Sequence, residues 1–109
     1  MNNYEIPTIG LSEAATENLG KYGRMREQYL QAHKPELYNS LLLSGTLLAH
    51  LLEIDQIARK RLELMMPEMA RVAGATKELK ARDPMRWVGL MNCCKAQVEE
   101  IIFAELIMI

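Results

Sequence analysis

The sequence has little of several features that assign a protein to a class at once. Its only cysteines, Cys93 and Cys94, are adjacent, so they cannot pair without strain and do not complete a zinc site. No apolar run approaches the roughly 18 residues of a membrane-spanning helix. The first residues lack the basic and apolar regions of a signal peptide. These absences predict a cytoplasmic protein with reduced thiols, no membrane partner, no cofactor and no metal.

An excess of charge of one sign is also missing. The net charge is −1 and 25% of the residues are charged, so no overall field attracts nucleic acid or anionic lipid. Any such contact must come from a local patch. Half of the 109 residues are apolar, which is enough for the core of one modest domain.

The chain divides by composition into an arm and a helical region. Residues 1–17 contain Pro7, Gly10 and three glutamates, which predicts a flexible N-terminal arm. Residues 18–109 are predicted to form a single helical domain. Its first helix is expected from residue 20 or 22 to 33. Gly20 and Gly23 at its start suggest either a loose start or a close approach of another backbone or a ligand.

A second, long helix is predicted from Pro35 to about Met66, because proline suits the first helical position. Pro67 is then expected to kink or restart the helix. Apolar residues on two sides of this helix predict burial between two partners. They form one stripe of Leu41, Leu48, Leu52 and Leu62, and another of Leu43, Leu47, Ile54 and Ile57.

The C-terminal half carries several helix start and stop signals. Gly74 is expected to end the long helical region in a left-handed conformation. Thr76 can cap a short segment to about Arg82, and Asp83 with Pro84 marks the start of a final helix. That helix has apolar residues at helical spacing, namely Trp87, Met91, Cys94, Val98 and Ile101.

These patterns predict an all-α fold, a small helical bundle with one long central helix. About 30 residues give roughly 45 Å of helix, which is long for so small a domain, so part of it is expected to meet a second copy of the chain. The sequence therefore predicts a homodimer. Its interface is expected at Leu43, Leu47, Ile54, Ile102 and Leu106.

The sequence does not favour an enzyme. His50 and Glu53 are three residues apart, as two metal ligands on one helix face would be, but carboxylate-bridged di-metal bundles need two such motifs and two further glutamates. Ser40 and Ser44 have no evident base. A glycine-rich phosphate loop is also missing.

Two basic patches remain as candidate binding sites. Residues 21–34 carry four basic residues against Glu27, net +3, and residues 77–86 carry four against Glu78 and Asp83, net +2. Arginine pairs well with phosphate, and tyrosine can stack or hydrogen-bond beside it, although such runs are also common on solvated helix faces. The predicted nucleic-acid or partner contacts are Lys21, Tyr22, Arg24, Arg26, Lys34, Lys80 and Arg82.

The blocks "GKYGRMR" at 20–26 and "LYNSLLLSG" at 37–45 resemble those of the small TnpV-type proteins encoded on bacterial transposons. The resemblance covers residues 19 to about 106. It implies a place among the accessory genes of a mobile element, often near a site-specific recombinase, and it carries over no catalytic residue. Lys21, Tyr22, Arg24 and Arg26 are the positions in the resembling block where a shared surface function is expected.

Together these features predict a non-enzymatic accessory protein of a mobile element that acts by binding. It is expected to contact the recombination or regulatory machinery, such as a recombinase or another nucleic-acid-processing protein, or DNA through residues 21–34. The alternative is a protein-binding inhibitor or adaptor that masks a host nucleic-acid enzyme.

Overall fold

The computed structural model describes residues 19–109, all of whose regular structure is helical. The predicted arm at residues 1–17 lies outside the described residues. Within residues 19–109, five α-helices follow one another: α1 (Lys21–His33), α2 (Pro35–Leu43), α3 (Leu47–Ala73), α4 (Lys77–Arg82) and α5 (Pro84–Ile102). A π-helical segment, Phe103–Ile107, continues from α5. The prediction of an all-α fold with one long central helix is confirmed.

The described chain divides into two compact units, one up to Asp55 and one from Gln56 onward. The long helix α3 begins in the first unit and ends in the second. That residues 18–109 make a single domain stays a prediction.

The first unit is built from α1, α2 and the start of α3 around a leucine-rich core. Its buried residues are Leu19, Leu30, Tyr38, Leu47 and Leu51, with Leu41, Leu42, Leu48 and Leu52 packed partly buried against them. Pro35 opens α2 directly after Lys34, as predicted. Tyr38 accepts a hydrogen bond from Nε2 of Gln31 over 3.0 Å, which ties α2 to α1.

The prediction of one helix from Pro35 to about Met66 is wrong. The chain leaves helical geometry after Leu43, and Gly45 adopts a left-handed φ of 77°. Thr46 N–H donates to the carbonyl of Leu41 and Gly45 N–H to that of Leu42, the Schellman arrangement that satisfies the last carbonyls of a helix. The axes of α2 and α3 consequently differ in direction by 115°.

The long helix also does not end at Met66, because α3 continues through Pro67 to Ala73. Proline removes one backbone donor from a helix, but α3 is continuous through this position. Gly74 then ends α3 with φ 82°, as the sequence predicted.

In the second unit, α5 lies antiparallel to the C-terminal part of α3. Cys94 Sγ donates to the carbonyl of Met69 over 3.5 Å, and Arg61 forms a 2.7 Å salt bridge with Glu105. The buried residues of α5 are Cys94, Val98 and Ile102. The predicted apolar stripe is therefore right at Cys94 and Val98 and wrong at Ile101, which lies at the surface. The next buried residue after Val98 is Ile102, four positions along the helix and not three.

Among residues 19–109, no single helix is long and apolar enough to cross a membrane, and α2 and α3 meet that criterion only as a bent pair.

Candidate functional site

The first predicted patch is only partly at the surface. Lys21, Arg24 and Lys34 are exposed. Tyr22 and Arg26, however, each have only 5% of their surface accessible to solvent. These two residues therefore offer little open surface, and their role in contacting nucleic acid or a partner stays a prediction.

Close packing of α1 on α3 within the first unit explains their burial. Gly23 N–H donates to Oδ1 of Asp55 over 3.0 Å in a buried hydrogen bond. A Cβ atom on Gly23 would lie 3.0 Å from the carbonyl oxygen of Leu51. The sequence expectation of a close backbone approach near Gly23 is thus confirmed, and the neighbour is α3.

Arg26 is held on this buried side by His50. The Nε–H group of Arg26 donates to Nε2 of His50 over 3.3 Å, so His50 is neutral in this arrangement and carries its proton on Nδ1. Burial, and next the charge of Arg26, lower the pKa of His50, while Glu53 acts in the opposite direction. Burial also lowers the pKa of Arg26.

This hydrogen bond also bears on the metal-ligand pattern of His50 and Glu53. Nε2 of His50 already accepts a hydrogen bond from Arg26. Within residues 19–109 no group of three or more His, Cys, Asp or Glu side chains is placed to hold a metal ion.

The second predicted patch is at the surface in full. Lys77, Lys80, Arg82 and Arg86 are all exposed, and we refer to these four residues as the basic cluster. The Nζ atom of Lys80 lies 4.6 Å from the ring centroid of Trp87, within the range of a cation–π contact. The cluster thus contains three cations on open surface and one that rests on an aromatic ring.

Local capping positions the basic cluster. Thr76 Oγ1 accepts from Leu79 N–H over 3.1 Å and starts α4. Asp83 Oδ1 accepts from Arg86 N–H over 3.2 Å, and Pro84 occupies the first turn of α5. Both caps were predicted, because N-cap residues act on neighbours only three positions away.

Arg82 and Arg86 line one pocket of about 370 Å³, which we call the arginine pocket. Asp83 lines it between them, and Leu79 and Leu90 contribute apolar surface. Among residues 19–109, neither guanidinium group takes part in a salt bridge or side-chain hydrogen bond. The sequence placed Arg86 in the second patch but not among the contact residues. The Asp83-Pro84 pair marks a helix start and so a turn of the chain between Arg82 and Arg86. This is the signal that could have predicted that the two arginines lie in one site.

The predicted interface residues lie in different environments. Leu43 is 86% exposed, whereas Leu47, Ile54 and Ile102 are buried within the chain. Leu106 is partly buried. Leu43 is therefore the residue of this set with most surface to offer a second copy, and the dimer itself stays a prediction.

The helices and their exposed cations define a small all-helical protein that presents local basic surface. A family model described as transposon-encoded protein TnpV matches residues 1–107. The chain belongs to this family, which confirms the resemblance seen in its sequence. No curated protein and no solved structure matches the chain.

Proposed function

We propose that this protein is a non-enzymatic accessory factor of a mobile element and that it acts by binding DNA through the basic cluster. Its family membership supports the setting, since the family is described as transposon-encoded. The recombination or regulatory machinery of the element is the context in which such binding would act.

The observation that carries this proposal is the exposure of all four cations of the basic cluster. Most hydrogen bonds from proteins to DNA go to the phosphate backbone, and arginine and lysine are their main donors. In the first patch, by contrast, burial removes Arg26 from the surface. Lys21, Arg24 and Lys34 are exposed and remain as a secondary contact.

The overall charge restricts the kind of binding that is expected. With a net charge of −1, the protein has no long-range attraction for DNA, so association depends on contacts within about one Debye length of the surface. Binding should consequently be weak, sensitive to salt and tolerant of sequence.

The proposal is tested by fluorescence anisotropy of a labelled duplex at low salt. The variant combines Lys77→Ala, Arg82→Ala and Arg86→Ala, and leaves Lys80 in place on Trp87. Removing three phosphate contacts should weaken binding about tenfold or more. Circular dichroism verifies that the variant remains helical.

The matched control combines Lys60→Ala and Lys95→Ala, which remove exposed cations from the same unit outside the basic cluster. Its affinity should stay close to that of the unchanged protein. Because the variant loses three cations and the control two, an equal loss of affinity per removed charge would mean that total charge, and not the basic cluster, governs binding. No detectable binding of any duplex at low salt would refute the proposal.

A second candidate function is a protein-binding adaptor or inhibitor of a nucleic-acid enzyme. The observation in its favour is that Met85, 86% exposed, and Val88 present apolar surface three residues apart on α5, beside the basic cluster. Co-purification from cells that carry the parent element tests it. A partner retained by the unchanged protein and lost with Met85→Glu would support this function, and one retained equally by both would count against it.

The homodimer is likewise a proposal, and light scattering tests it. A dimer would have twice the chain mass of 12.5 kDa. A mass equal to one chain at micromolar concentration would show that the protein is monomeric.

A further inference from the structure

The arginine pocket joins two guanidinium groups from different helices. Arg82 is the last residue of α4, and Arg86 lies in the first turn of α5. Asp83, between them, is the only acidic residue of the pocket lining, and one of its oxygens accepts from the backbone of Arg86. The charges that line the pocket therefore sum to +1, with two guanidinium groups that no other described side chain engages.

Helix stability does not account for the position of Arg86. The N-terminal end of a helix carries partial positive charge, which favours acidic side chains in the first turn and disfavours basic ones. The first turn of α5 has no acidic residue and does contain Arg86. Arg82, at the C-terminal end of α4, suits its helix, so Arg86 is the cation of the pocket that the helix dipole does not favour.

The chemistry of the pocket matches a phosphate group attached to an apolar or planar body. Guanidinium groups bind phosphate with paired, parallel hydrogen bonds. The volume of about 370 Å³ is in the range of small-molecule pockets. Leu79, Leu90 and Ala73 supply apolar surface beside the arginines.

We propose that the arginine pocket binds a phosphomonoester of nucleotide size. The group could come from a free nucleotide or from the 5′-phosphate at the end of a DNA strand. This inference goes beyond the proposed contact with duplex DNA, because it concerns a single terminal phosphate in a pocket and not the backbone along an open surface.

Nuclear magnetic resonance of the full chain tests the pocket with adenosine monophosphate as the probe and adenosine as its partner without phosphate. The side-chain Nε–H signals of Arg82 and Arg86 should shift with adenosine monophosphate and not with adenosine. Equal shifts with both compounds, or none with either at millimolar concentration, would overturn the proposal.

Substitutions in the pocket lining are expected to change the affinity for adenosine monophosphate in opposite directions. Arg82→Ala and Arg86→Ala should each weaken binding of adenosine monophosphate about tenfold, since each removes charged hydrogen bonds. Asp83→Asn should tighten it, because asparagine keeps the helix cap while the negative charge is lost. Lys95→Ala, outside the pocket, should change nothing. Binding that responds equally to Lys95→Ala and Arg86→Ala would contradict a defined site.

Two DNA hairpins that differ only in a 5′-phosphate or a 5′-hydroxyl distinguish the two sources. If the phosphorylated hairpin binds more tightly and Arg86→Ala removes this difference, the ligand of the pocket is the 5′-phosphate of a DNA strand. If the two hairpins bind with equal affinity and adenosine monophosphate also binds, the ligand of the pocket is a free nucleotide. If neither phosphate adds affinity, the pocket proposal fails. The contact of the basic cluster with duplex DNA is judged by a different readout, the affinity for a duplex and its dependence on salt.

Discussion

At Gly23 the backbone of α1 comes so close to α3 that an added Cβ would lie 3.0 Å from the carbonyl oxygen of Leu51 and 3.3 Å from Cβ of Asp55. Backbone atoms at that distance cannot rotate aside as a long side chain could. The same glycine donates its N–H to Asp55, so a shift of the helix would also lengthen a buried hydrogen bond.

We therefore predict that Gly23→Ala destabilises the protein. Overpacking of this kind costs about 1–3 kcal/mol, against a gain of about 1 kcal/mol in helix propensity for alanine, which leaves a net loss of up to about 2 kcal/mol. Urea unfolding followed by circular dichroism measures the difference.

Gly89→Ala is the matched control, since Gly89 also lies inside a helix but an added Cβ there meets nothing within 4 Å. That variant should be more stable than the unchanged protein, by about 0.5–1 kcal/mol. If both variants gain stability alike, the close contact of α1 with α3 at Gly23 is wrong.

His50 links the stability of the first unit to pH. Its pKa is lowered from the ordinary 6.5 by burial and by Arg26, so the unfolded chain takes up a proton at a pH at which the folded chain does not. The stabilisation is complete above pH 6.5 and is lost as the pH falls towards the lowered pKa of the folded state. Protonation would also remove the acceptor for Nε–H of Arg26.

We predict that the free energy of unfolding of His50→Gln falls less than that of the unchanged protein when the pH is lowered from about 7.5 to 5. The amide of glutamine can still accept a hydrogen bond from Arg26, but it does not titrate in that range. Denaturant unfolding at several pH values measures the loss. His33→Asn, at an exposed position, should keep the pH dependence. An identical pH dependence for His50→Gln and the unchanged protein would contradict the role of His50.

For single residues, the sequence predicts features that depend on neighbouring residues better than features that depend on contacts between helices. Glycine in a helix already suggests a close approach at Gly23. The burial of Tyr22 and Arg26 could not be predicted, because arginine is rarely buried without a partner. The partner, His50, is 24 residues away in sequence and only the packing of α1 on α3 brings it near.

Helix ends are also predicted well where they depend on neighbouring residues. Pro35, Gly74, Thr76 and the Asp83-Pro84 pair were all assigned correctly, since capping and helix breaking act over three or four residues. The break at Gly45 was missed because apolar residues continue on both sides of it and suggest one uninterrupted helix. The Ser-Gly-Thr sequence at 44–46 is the signal that should have outweighed that periodicity.

The turn at Gly45 gives a prediction for the joint between α2 and α3. Gly45 has φ 77° and open space around it, so Gly45→Ala suffers only the strain of the left-handed conformation, about 1–2 kcal/mol. Gly45→Asn should lose less, because asparagine tolerates that conformation. Thermal unfolding ranks the two variants, and a Gly45→Ala variant as stable as the unchanged protein would rule out the turn described here.

For the whole molecule, the relevant feature is a nearly neutral chain in which four exposed cations form the basic cluster. The sequence predicted two basic patches and favoured residues 21–34 for a contact with DNA. The structure separates them, because Tyr22 and Arg26 of the first are buried while all four cations of the second are exposed. Family membership supplies the mobile-element setting, and the chemistry proposed for it depends on the basic cluster.

The salt dependence of duplex binding tests this account most directly. Affinity for one duplex is measured across a series of salt concentrations, for the unchanged protein and for the Arg82→Ala, Arg86→Ala double variant. Loss of two phosphate contacts should reduce the slope of log affinity against log salt by about 1.8, at about 0.9 per contact. Equal slopes for the two proteins, or no binding at low salt, would contradict DNA binding through the basic cluster.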